Sequence, residues 1–202
     1  MPSNNYIYKM SNAGGMSTVT RYTDMLAGNT VYPGDNSYES IATATGTGSS
    51  GVMTFSSIPA TYTHLQIRGF TKSTSSGSNW KVQFNGDTGS NYANHYLESN
   101  GSTVSAGAEL TQTGMNFYAA TATSTAASVY AAMVMDILDY TSSNKNKTVR
   151  TLSGVDTNGG GNNDFNSGLW YATPAAITSI TITLNSGSFD TNSKIALYGI
   201  KG

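Results

Sequence analysis

At 202 residues the chain is long enough for one medium-sized domain with a real core, yet only 10% of it is charged, against about a quarter in ordinary domains. A formal net charge of −1, with no run of Lys or Arg beyond two residues, leaves no electrostatic footprint for gripping nucleic acid. Cysteine is absent, which removes disulfides, thiolate metal sites and cysteine nucleophiles together.

No apolar stretch approaches the ~18 residues of a membrane span, and Met1-Pro2-Ser3-Asn4-Asn5 offers neither a basic nor an apolar leader region. The expectation is a chain folded in a cytoplasm, without a membrane partner or a cofactor. Low charge with abundant Ser, Thr, Asn and Gly can signal disorder. Here 13 Tyr, 6 Phe and 2 Trp sit in alternating runs instead of low-complexity tracts, so the chain reads as folded and β-rich.

Residues 1–36 differ in pattern from the remainder of the chain and read as an anchoring arm, with residues 37–202 as the domain. Within the arm, residues 17–28 read as one short helix, with Ser17 as N-cap and Gly28 just past its end. Val19, Tyr22 and Leu26 then share a face, with Met25 beside it and Arg21 adjoining. A helix of roughly ten residues is unstable alone in water, so it must dock on its own domain or on another chain. The segment 11–15 is expected to be flexible. Val19, Arg21, Tyr22, Met25 and Leu26 form the candidate partner-binding set.

From Tyr38 the pattern becomes strand, turn, strand. Expected strands cover residues 38–45, 52–55, 63–72, 79–85, 95–98, 108–118, 128–139, 147–155, 168–172, 177–184 and 194–200. Trp80, Val82 and Phe84 alternate with polar residues, as do Ile180, Ile182 and Leu184, which is the signature of half-buried strands. The last run is apolar on both faces and reads as a strand buried on both sides. Short strands without intervening helices predict an all-β fold, a two-sheet sandwich of Greek-key or jelly-roll type behind an extended arm. The connections 118–128 and 155–168 look too long for the hairpins of an up-and-down barrel.

Little in the chain points to a reaction. Gly46-Thr47-Gly48-Ser49-Ser50-Gly51 matches the dinucleotide fingerprint, but a strand comes after it where a helix is needed, so it reads as a hairpin loop. His64 and His95 lack a Gly-x-Ser-x-Gly elbow to serve, and a loose Ser/His/Asp trio could be assembled from almost any sequence, so both read as polar strand or loop positions. The stretches 85–91 and 156–164 combine Asn, Asp and Gly. Either they build turns or they supply oxygen ligands to Ca²⁺, although neither has the EF-hand spacing. Trp80 reads as core; Trp170 is either core or a platform for sugar rings. A glycan-cleaving site needs two acids about 5–10 Å apart, and a pair such as Asp136 and Glu98 has nothing in the sequence to join it. The chain is therefore read as having no catalytic, cofactor or metal residues.

Several segments together resemble jelly-roll virion proteins of marine tailed bacteriophages, of decoration or fibre type. In the arm these are Gly14-Gly15-Met16 and Arg21-Tyr22-Thr23-Asp24-Met25-Leu26-Ala27-Gly28-Asn29. In the domain they are Ile58-Pro59-Ala60-Thr61-Tyr62-Thr63-His64-Leu65, Phe84-Asn85-Gly86-Asp87, Asn91-Tyr92, Ser167-Gly168-Leu169-Trp170 and Leu197-Tyr198-Gly199-Ile200-Lys201-Gly202. The resemblance implies a non-enzymatic protein of the virion, assembled in the host cytoplasm. The expected role is a capsid decoration or cement protein, a homotrimer held by its arm on the major capsid protein or another virion protein. The alternative is a tail or head fibre subunit that contacts host glycans through the loops 73–78, 101–106 and 157–166.

Overall fold

The computed structural model describes residues 9–12, 15–18, 37–76, 79–172 and 174–201. The chain divides into two compact units, Met1–Ser37 and Tyr38–Gly202. In the first unit β1 (Lys9–Asn12) and β2 (Gly15–Thr18) form an antiparallel pair, with Lys9 opposite Thr18 and Met10 opposite Ser17. Ser17 and Thr18 thus belong to a strand and do not open a helix. Their backbone groups take part in the ladder. Ser11, Asn12 and Gly15, expected to be flexible, belong to the same ladder. Val19, Arg21, Tyr22, Met25 and Leu26 lie outside the described residues, as does the rest of the expected helix.

The second unit is all β among its described residues. Its strands are β3 (Tyr38–Thr45), β4 (Val52–Phe55), β5 (His64–Thr71), β6 (Asn79–Phe84), β7 (Tyr92–Ser99) and β8 (Val104–Gln112). They continue as β9 (Met115–Tyr118), β10 (Ala131–Ile137), β11 (Lys147–Asp156), β12 (Gly161–Trp170), β13 (Ile180–Leu184) and β14 (Lys194–Ile200). Eight strands make one sheet in the order β3-β14-β5-β10-β11-β12-β7-β8, and four make the other in the order β4-β13-β6-β9. From β4 onward the chain passes between the sheets in jelly-roll fashion, with the β7–β8 and β11–β12 hairpins enlarging the wider sheet. The two closing runs part company: β13 lies between β4 and β6, and β14 between β3 and β5.

The core lies between the sheets. Trp80, Val82 and Phe84 of β6, Ile180 and Ile182 of β13, Leu65 and Ile67 of β5, and Ile195 and Leu197 of β14 are all fully buried. Each such side chain contributes about 1.5–3 kcal/mol by leaving water. The Trp80 indole donates to Thr71 Oγ1 at 3.1 Å, so its burial strands no polar atom. The second face of β14 is only half covered, because Ala196, Tyr198 and Ile200 point away from the core.

Two expectations fail in ways that matter. The predicted strand 108–118 is two strands in different sheets. At Thr111, in a left-handed conformation (φ 55°), the chain begins leaving the wide sheet for the narrow one. The predicted loop 157–166 is largely β12, an interior strand whose hairpin with β11 closes at Asp156 opposite Gly161. There is no long connection at 155–168. Its alternation is inverted: Asp164 and Asn166 are buried while Phe165 is exposed, so a search for inward apolar residues passes over it.

Candidate binding surfaces

Sheets of unequal width cannot cover one another. The narrow sheet ends at β9, and the wide one continues past it through β7 to the edge strand β8. The inner face left over is polar. Asn94 and Glu98 of β7, Glu109 of β8 and Asp164 and Asn166 of β12 line a hollow of about 190 Å³, with Asn79, Tyr96, Asn116 and Tyr118 completing it. Glu98 also lines a second hollow of about 120 Å³ with Ser99, Asn100, Thr103, Ser105 and Asn162. The two share Glu98 and together make one groove on the inner face of β7, β8 and β12, of which the larger part reaches β9 through Asn116 and Tyr118.

Side chains of the wide sheet hold that edge. The backbone N–H of Tyr118 donates to Asp164 Oδ2 at 3.1 Å, and that of Asn116 to Asn94 Oδ1 at 3.4 Å. Ser153 Oγ donates to the Tyr118 carbonyl. Asp164 is 3% exposed, and its Oδ2 also accepts from Asn166 Nδ2 at 2.6 Å. Burial pushes the Asp164 carboxyl above its ordinary value; the Tyr118 and Asn166 bonds pull it back, and Glu98, directly opposite in the ladder, adds to the rise. Burial likewise raises the Tyr118 phenol, against a bond from Asn162. Glu109 Oε2 accepts from Asn116 Nδ2 at 2.8 Å. Asn166 Oδ1, Asn162 Oδ1 and, on the residue of β11 opposite Asn166, Thr151 Oγ1 are buried atoms without a hydrogen-bond partner among the described residues.

The outer face of the same strands is apolar. Val134 lies opposite Leu152, Leu152 opposite Phe165, Phe165 opposite Leu97, and Leu97 opposite Ala106. Leu152, Phe165 and Leu97 remain 49%, 53% and 48% exposed. At about 4.8 Å per strand the row runs about 20 Å across five strands. The neighbouring row is polar and carries both signs: Asp136 opposite Arg150, Arg150 opposite Ser167, and Ser167 opposite His95. A trough of about 890 Å³ adjoins the apolar row through Val134 and Leu152 and reaches the tips of the two hairpins at Gly101 and Gly159. The edge strand β8 adds exposed Val104 and Leu110 and contains neither Pro nor Lys.

Other residues singled out from the sequence find structural work. The Asp87 carboxylate accepts the Trp170 indole at 2.7 Å, the Gly89 N–H at 2.8 Å and the Asn91 amide at 3.0 Å, so it builds a turn. Burial works to raise the Asp87 carboxyl, but the bonds from Trp170, Asn91 and Gly89 hold it below its ordinary value. Trp170 is core: its ring stacks on Tyr92 and meets Phe84 edge-on. Asp156 Oδ1 accepts the Asn158 N–H at 2.7 Å at the β11–β12 turn. The Gly46–Gly51 stretch joins β3 to β4, with no helix after it. His64 Nδ1 accepts the backbone N–H of Asp139 at 3.0 Å, and His95 is exposed on the outer face. Asp136 accepts from Gln66 on the outer face while Glu98 lines the inner groove, so that pair of acids stands on opposite faces of one sheet. The loops 101–106 and 157–166 surrender residues 104–106 to β8 and 161–166 to β12.

Comparison with family models, curated proteins and solved structures found no match for this chain.

Proposed function

We propose that this chain is a non-enzymatic structural protein of a phage virion, a capsid decoration protein whose copies join through the outer face of the wide sheet. The observation that carries the reading is the apolar row Val134, Leu152, Phe165, Leu97 and Ala106 on the outer face of the wide sheet, with Leu152, Phe165 and Leu97 about half exposed. Apolar patches of this kind on soluble domains mark contact surfaces. The occupant is a second copy of the chain, because the rim holds Asp136 beside Arg150 and so presents both charges to an identical partner. The long edge of β8, blunted by neither Pro nor Lys, adjoins that face and favours sheet-to-sheet association. A homotrimer built this way, with residues 1–36 anchoring it to a shell protein, agrees with the resemblance to jelly-roll virion proteins.

The test uses the full-length chain. Light scattering coupled to gel filtration should give a trimer mass, and Phe165→Glu and Leu152→Glu should shift it to a monomer while leaving the melting curve of a folded domain. Mixed with particles of the phage that encodes it, the wild type should sediment with them and a chain lacking residues 1–36 should stay in the supernatant. A wild type that is monomeric at every concentration, or that ignores the particles, overturns the proposal.

A further inference from the structure

We infer that the groove between β9 and the inner face of β7, β8 and β12 binds a short neutral oligosaccharide. This does not rest on the docking role above, because it uses the opposite face of the sheet. Asn166 is 6% exposed, lines the larger hollow, and spends its Nδ2 on Asp164, which leaves Oδ1 buried and unpartnered among the described residues. Asn162, half-buried in the adjoining hollow, bonds the Tyr118 phenol through its side chain, and its Oδ1 too is left without a partner among the described residues. Buried acceptors without donors are costly and call for a partner that supplies N–H or O–H groups.

The lining decides which partner. None of its residues is cationic, so a phosphate or other anion would meet Glu98 and Glu109 with nothing to neutralise it. The orphan atoms are neutral amide carbonyls, whereas Glu109 already has Asn116 and Asp164 already has Asn166 and Tyr118. Among the described residues no three acidic or histidine side chains converge to hold a metal ion. Hydroxyl donors on an uncharged ligand fit this set. Asn162 and Asn166 are four residues apart on β12, about 13 Å along the strand, so a ligand that reaches both is longer than one sugar ring. Tyr96 adds an aromatic surface: its ring lies over Gly107, directly opposite it on β8, where any Cβ would collide with the ring. Aromatic rings in that position pack against the C–H faces of sugars.

The full-length protein should be screened on an array of neutral gluco-, galacto-, manno- and N-acetylglucosamine oligomers. Hits should then be titrated by calorimetry, with spermidine as a cationic control. At least one neutral oligomer should bind saturably in the millimolar range or tighter. Asn166→Ala and Asn162→Ala should each weaken it about tenfold, the worth of one hydrogen bond. Asn162→Ala leaves the Asp164–Asn166 bond untouched, so it decides the matter if Asn166→Ala unfolds. Phe165→Glu, on the outer face, should bind the sugar as the wild type does. Failure of every neutral oligomer, unchanged affinity in Asn162→Ala, or binding of spermidine in their place overturns the inference.

Discussion

Asp164 of β12 accepts the backbone N–H of Tyr118 in β9 at 3.1 Å, so a side chain of the wide sheet caps the open edge of the narrow one. An edge strand normally offers such groups to any passing strand. Here Asp164, Asn94 and Ser153 take up three of them and fasten the two sheets together at the rim of the groove.

Asp164→Ala should therefore cost about 1–3 kcal/mol in urea-induced unfolding, the penalty for stranding a buried donor. Asp164→Asn should cost less, because its carbonyl can still accept from Tyr118. Equal stability of Asp164→Ala and wild type would show that the cap is not needed.

Asp164 and Asp87 should respond to acid in opposite directions. The folded-state value of Asp164 is raised, chiefly by burial. Its contribution is thus fully present below the unfolded carboxylate value and is lost as pH rises through the higher folded value. Relative to Asp164→Asn, the wild type should gain stability as pH falls through that interval.

For Asp87 the folded-state value is lowered: burial opposes ionisation, but the bonds from Trp170, Asn91 and Gly89 prevail. Their contribution is fully present above the unfolded carboxylate value and is lost as pH falls through the lower folded one. Relative to Asp87→Asn, the wild type should lose stability on acidification. Denaturation midpoints measured across the acid range for the three proteins check both signs.

Gly199 has a packing reason to be glycine. The Tyr62 ring lies against it, and an added Cβ would collide with the ring. Gly199→Ala should destabilise the domain by about 1–3 kcal/mol through overpacking. In a Tyr62→Ala background the same change should cost markedly less, a coupling that a double-mutant cycle in thermal unfolding measures.

Lys147 is 1% exposed, and its ammonium donates to the carbonyls of Ser142 and Lys145. Burial lowers its basicity, against an opposing field from Asp139. Lys147→Met removes the charge but strands two acceptors, so it should lower stability by about 1–3 kcal/mol at neutral pH. A gain in stability would mean that desolvation of the ammonium outweighs its bonds.

Much of the fold was legible from residue pattern alone. The bounds of β3, β4 and β14 match the expected runs, and the alternation in β6 and β13 marks Trp80, Phe84, Ile180 and Ile182 as the core residues they are. Those strands obey the simple rule because a second sheet covers one of their faces, which makes the inward residue apolar. The turn chemistry of Asp87 and Asp156 was legible as one of two readings, and the hydrogen bonds to Trp170, Gly89 and Asn158 account for both acids as turn builders.

The groove was not legible, and the reason is physical. In β12 the inward positions hold Asn162, Asp164 and Asn166 and the outward ones hold Phe165, so local pattern reading takes a strand for a loop. Alternation tells which residues share a face; it does not tell what lies across from that face. By itself the sequence determined an all-β chain of alternating strands with Trp80 in its core. Only the packing of a four-stranded sheet on an eight-stranded one decided where cover runs out, and so where polar side chains could face inward and apolar ones outward without unfolding the strand.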